Sequence, residues 1–144
     1  MRKQTSNLKV TGRVTLKLAD EVVYSGDNLV VTTGKSFIAS RMGSTAEPVM
    51  SHMAVGTGTT PAAGTDVSLE TETARVALTT ATVAGSTMTY TASFPAGTGT
   101  GTIAELGVFS ASSGGTLLCR IKLDSPITKD SISTLQVDWD VTVN

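Results

Sequence analysis

His52 is the only histidine of the chain, and its ordinary pKa would let it act as a base near neutral pH. It stands between Ser51 and Met53 in a strand-like stretch. A nucleophile–histidine arrangement also needs a carboxylate that orients the imidazole. Nothing near His52 in the sequence suggests that geometry, so a structural histidine is expected. Glu70 with Glu72, and Asp138 with Asp140, are carboxylate pairs at strand spacing. Two residues apart, they would share a face about 6–7 Å from each other, within the range of a glycosidase pair. No aromatic platform for a sugar accompanies them, since aromatics make up only 4% of the chain. Asp138 and Asp140 therefore read as the solvated face of the last strand.

Gly34-Lys35-Ser36 looks like the tail of a phosphate-binding loop. That loop needs a glycine five positions before Gly34, and Leu29 stands there. The start of a helix explains the triplet. The runs Gly56-Thr57-Gly58 and Gly97 to Thr102 carry no lysine and no following helix, and neither calcium-loop nor zinc spacing occurs. Cys119, the only cysteine, rules out an internal disulfide. It alternates with Leu117, Ile121 and Leu123 on one face, which predicts a buried and inert thiol. No enzymatic activity, no cofactor and no metal are expected.

The elements that position these residues read as short strands. Leu8, Val10, Gly12, Val14, Leu16 and Leu18 alternate strictly with Lys9, Thr11, Arg13, Thr15 and Lys17, the pattern of a strand with one face on a core. Asp20-Glu21 and Ser25 to Asn28 signal turns around short strands at 22–24 and 29–32. The spacing of Phe37, Ile38 and Met42 predicts a helix over 35–42, stopped by Gly43. A strand over 50–55, a Gly-Thr loop over 56–65 and a turn of helix at 67–70 follow. Two hairpins are expected, 74–83 with 86–94 closed at Ala84-Gly85, and 103–110 with 116–123. In the last strand Leu135, Val137, Trp139, Val141 and Val143 face one way. These elements predict an all-β, antiparallel β-sandwich over residues 8–144, jelly-roll-like and with one short helix, preceded by an N-terminal arm over 1–7.

At 144 residues and a formal net charge of −1, the chain is one ordinary domain with no global field drawing it to nucleic acid or an anionic membrane. No apolar run approaches spanning length, and the N-terminus lacks the apolar core of a signal peptide, so a soluble chain made in a cytoplasm is expected. Charged residues are only 16%, with serine and threonine in their place, which suits a surface that is dehydrated against copies or partners. Residues 1–19 hold Arg2, Lys3, Lys9, Arg13 and Lys17 and no acid, whereas all 12 acidic residues lie further on. Lys9, Arg13 and Lys17 recur every four positions on one strand face. They read either as a basic docking stripe, with Arg2 and Lys3 on the arm, or as lysine protection of an edge strand. Arg75, Glu105 and Arg120 sit in otherwise apolar or threonine-rich strands, where charges persist when paired. Glu105 is expected to bond at least one of the two arginines and to fix sheet register.

Several stretches together carry a resemblance. These are Met53-Ala54-Val55-Gly56-Thr57-Gly58-Thr59-Thr60, Leu69-Glu70-Thr71-Glu72 with Arg75-Val76, Thr87-Met88-Thr89-Tyr90 with Phe94, Glu105-Leu106-Gly107-Val108-Phe109, Gly114 to Arg120, and the strand around Trp139. Over roughly residues 28–144 the chain resembles a family of small virion structural proteins of tailed bacteriophages. The resemblance implies a non-catalytic head or tail component that resides in the virion after assembly in the host cytoplasm. One expectation is a capsid decoration (cement) protein. It would bind the phage major capsid protein on the outside of the shell, bridge capsomers, and self-associate, most simply as a dimer. The alternative is a tail-fibre or tail-tip adaptor or receptor-binding module, whose Gly-Thr loops present Thr57, Thr59, Thr60, Thr98 and Thr100 as loop tips.

Overall fold

A computed structural model describes residues 4, 7–43 and 47–144. Among the described residues nine strands and one helix follow in the order β1 (Val10–Leu18), β2 (Glu21–Val30), α1 (Thr32–Ser40), β3 (His52–Gly56), β4 (Glu72–Ala77), β5 (Thr80–Ala84), β6 (Thr87–Phe94), β7 (Gly101–Phe109), β8 (Leu117–Lys129) and β9 (Leu135–Val143). The protein is thus nearly all-β and antiparallel, with one short helix. Where the sequence predicts a two-sheet jelly roll, pairing instead runs through a single nine-stranded order, β4-β3-β7-β8-β2-β1-β9-β6-β5. The sheet curls upon itself. β2 turns one corner, pairing with β1 through most of its length and with β8 through Leu29 and Val30. At the opposite corner the Leu78 N–H donates to Ser51 and the Thr79 N–H to Thr91. The chain thereby crosses from beside β3 to beside β6 in two residues, so that β4 and β5, the two ends of the order, are consecutive in the chain yet form no ladder with each other.

This crossing replaces the single strand expected over 74–83. The turn expected at Ser25 to Asn28 is also absent. Ser25, Gly26, Asp27 and Asn28 lie in register with Thr15, Val14, Arg13 and Gly12, so the hydrogen-bonding demand of β1 overrides local turn preference. The true turn is Ala19-Asp20, where both residues have positive φ, 49° and 66°, as a two-residue type I′ hairpin requires. Gly85 (φ 59°) opens the β5–β6 hairpin. The helix starts three residues earlier than predicted, and residues 67–70 form no helical turn.

The interior of the curl holds Val14, Leu16, Phe94, Ile103, Leu106, Val108, Cys119, Ile121, Leu123, Val137 and Trp139, each at most 2% exposed. Burial on this scale is the main stabilising term of such a domain. A second, smaller cluster of Val31, Ala54, Leu69, Phe109 and Leu117 lies apart from the first. Leu69 reaches it from the long β3–β4 connection, so this loop is packed down on the sheet rather than projecting from it.

Candidate functional site

β7 alternates Leu106 and Val108 toward the main core with Glu105, Gly107 and Phe109 on the other face. The loop over 57–71 covers that outer face, and Glu105 stands beneath it at 0% exposure. Its carboxylate is satisfied on every side. Oε1 accepts from the Gly58 N–H at 3.0 Å and the Thr71 N–H at 2.7 Å, and Oε2 accepts from the Glu70 N–H at 3.0 Å. Arg120, on β8 and 2% exposed, donates Nε and Nη2 to the same Oε2 at 3.0 and 2.8 Å. The other Arg120 donors reach Asp66 Oδ2 at 3.1 Å and the Thr60 carbonyl at 3.0 Å. Burial alone would raise the Glu105 pKa, but the Thr71 and Glu70 N–H groups, the Arg120 guanidinium and the Gly58 N–H together hold it below the ordinary range.

The glycines of the loop have a steric cause. A Cβ on Gly56 would stand 2.3 Å from the Thr71 carbonyl, and one on Gly58 would stand 2.5 Å from Glu105 Oε1. Gly56-Thr57-Gly58 is therefore the bare backbone against which a buried carboxylate closes. It cradles a side chain of the protein itself.

Of the residues singled out in the sequence, Glu105 and Arg120 meet directly, while Arg75 does not join them. Arg75 forks onto Glu72 at 2.6 and 3.0 Å, lies 3.8 Å from the centroid of the Phe109 ring, and donates to the Ala111 and Gly114 carbonyls at 2.9 and 2.8 Å. It thereby pins the β7–β8 turn. Thr57, Thr59 and Thr60 are exposed on the held loop, Thr100 is exposed on the 95–100 loop, and Thr98 is half-buried there. Gly99 of that second loop abuts Val55 and Ala74, beside the strand from which the first loop departs.

Arg13 and Lys17 share the outer face of β1, with Lys9 just before its start, and acids from neighbouring strands meet Arg13 and Lys17. Arg13 pairs with Asp27 at 2.9 Å and Lys17 with Asp138 at 3.9 Å, and Asp140 lies in register with Arg13. Two of the five basic residues of segment 1–19, Arg13 and Lys17, thus stand beside acids. β1 is an interior strand between β2 and β9, so edge protection does not explain its basic residues. Arg2 and Lys3 of the arm lie outside the described residues.

His52 is half-buried, and its Nδ1 lies 2.8 Å from the Ser51 hydroxyl. Asp138 and Asp140 accept from Thr91 and Thr89, which ties β9 to β6. Cys119 is fully buried, and burial pushes its thiol well above the ordinary value. Sequence reasoning missed Asp66, the loop N–H groups that surround Glu105, and Lys129, which is fully buried with Nζ donating to the Pro95 carbonyl at 3.0 Å. One signal was available for the first two: a glutamate in an apolar strand together with a loop of closely spaced glycines.

The chain matches the family model described as Podophage GP4 fiber I protein gp80 over residues 38–140. That span includes Glu105, Arg120, Arg75 and both threonine-bearing loops. No curated protein and no solved structure matches the chain.

Proposed function

The chain belongs to the podophage GP4 fiber I protein gp80 family, and from that membership we propose that this phage virion structural protein serves in the tail fibre rather than as a cement on the shell. In this reading it is a non-catalytic adaptor or receptor-contacting module. The observation that carries it is the family match, whose span takes in the whole Glu105–Arg120 arrangement and the loop it holds. A loop clamped by a buried charge pair keeps its exposed groups in one conformation, which lowers the entropy lost when they meet a partner. Thr57, Thr59, Thr60, Thr98 and Thr100 are the contact groups of this proposal. The cement reading has no counterpart in the family match, whose description names a fibre protein.

Quantitative mass spectrometry of purified particles, combined with immunogold labelling, tests the proposal. A handful of copies per particle with label at the tail supports it. Copies comparable to the major shell protein, with label over the shell, would return the protein to the cement role. Alanine at the five threonines should then slow host adsorption while leaving the melting temperature unchanged.

A further inference from the structure

β5 ends the sheet order, and every one of its residues, Thr80-Ala81-Thr82-Val83-Ala84, is exposed. It pairs with β6 along one side only, and among the described residues no backbone hydrogen bond reaches its other side. The two-residue turn at Gly85-Ser86 makes Ala84 and Thr87 a hydrogen-bonded pair. Alternation from there aims the backbone groups of Thr80, Thr82 and Ala84 at β6 and those of Ala81 and Val83 outward. Proteins ordinarily blunt such an edge with lysine, proline or a covering element. Here no charged residue occurs between Arg75 and Glu105, and β5 contains no proline.

The side chains repeat the same message. Ala81 and Val83 stand opposite Tyr90 and Met88 and share their inward face, yet Val83 is 69% exposed because no strand lies beyond it. It borders an apolar groove with Ile38, Met88, Val141 and Val143. Thr80 and Thr82 face the other way.

We propose that β5 is a self-docking edge at which two copies of this chain pair antiparallel, with Thr82 on the two-fold axis. In that register Ala81 exchanges both hydrogen bonds with the partner's Val83, apolar side chains meet on the inward face, and threonines meet on the outer one. The strand is complementary to itself, as a two-fold interface requires, and its neutrality leaves no like charges to oppose the contact. Two five-residue edges bury less than the roughly 1,200 Å² of a standard interface. The dissociation constant should therefore lie in the micromolar range, about 1–100 µM.

Sedimentation velocity of the full chain from low to high micromolar concentration is the first test, and a monomer–dimer equilibrium is expected. Val83→Lys should abolish the dimer, while Ile132→Lys, at a position 84% exposed on another loop, should leave it intact. The second test reads register. Thr82→Cys places two thiols across a non-hydrogen-bonded pair about 4.5 Å apart at Cα, within disulfide range. Thr80→Cys would face the partner's Ala84 and find no thiol. Under mild oxidation Thr82→Cys should cross-link about tenfold faster than Thr80→Cys, with the buried Cys119 silent in both. A chain that stays monomeric throughout, a dimer indifferent to Val83→Lys, or equal cross-linking of the two cysteine variants would each overturn the proposal.

Discussion

Glu105 and Arg120 face each other at 2.8 Å from adjacent strands, and neither is more than 2% exposed. The pair does more than neutralise itself. Three backbone N–H groups of one loop end on the carboxylate and one loop carbonyl ends on the guanidinium, so a loop with little apolar content is anchored by charge.

Removing one partner should be severe. Glu105→Gln leaves a buried guanidinium with only Asp66 to balance it, and breaking a buried pair from one side costs about 3–5 kcal/mol. The double variant Glu105→Gln, Arg120→Met should lose clearly less than the sum of the single losses, because it leaves no charge stranded. Urea titrations of the four proteins measure both effects.

The same carboxylate should shape the acid limb of stability. Its folded pKa lies below the ordinary value of 4.5, so the folded state favours the ionised form. That stabilisation is fully present above about 4.5 and is lost as pH falls through the lowered folded value. Stability against pH should therefore fall more steeply below 4.5 in the parent than in Glu105→Gln. Asp130, whose carboxylate is also lowered, first by its side-chain bond to Ser133, adds to the slope in both proteins.

Gly58→Ala tests the cradle separately from the charges. The new methyl would press on both Glu105 and the Glu70 Cβ at 2.5 Å, and overpacking of this kind costs about 1–3 kcal/mol. Hydrogen exchange should rise at the Glu70 and Thr71 amides before it rises in β9.

Ala19 carries a positive φ that its side chain disfavours by roughly 1–2 kcal/mol. Ala19→Asn supplies a residue that type I′ turns accept. It should raise stability by about 0.5–1 kcal/mol, read as a higher denaturation midpoint at unchanged slope.

Arg75→Lys keeps the charge but loses the planar fork on Glu72 and the double reach to Ala111 and Gly114. A loss of about 1–2 kcal/mol is expected, with faster amide exchange confined to the 110–116 turn.

Much of this architecture is written in local pattern. Strict alternation over Val10–Leu18 and Leu135–Val143 locates two central strands and their buried faces, because period-two burial is a property of the strand alone. The isolated charges at Glu105 and Arg120 likewise announce a partnership. What local pattern could not convey is which segments are brought side by side. Ser25 to Asn28 has turn composition yet pairs with β1, and Arg13 and Lys17 of β1 find their acids on β2 and on β9 respectively, the latter more than a hundred residues away. The 67–70 segment lacks its expected helical turn because the Glu70 and Thr71 N–H groups are engaged by Glu105.

β9, which follows all of its sheet neighbours along the chain, lies between β1 and β6. A nascent chain still lacking residues 135–143 would leave Val14, Leu16, Tyr90 and Ala92 with no neighbour across the middle of the sheet. Completion of the sheet is therefore expected to wait for this strand and to be slow, since the pairing of Val10 with Val143 spans 133 residues of the chain. During that interval the uncharged stretch from Val76 to Ala104 is open to solvent, so yield in a host cell should depend on temperature and on chaperone capacity.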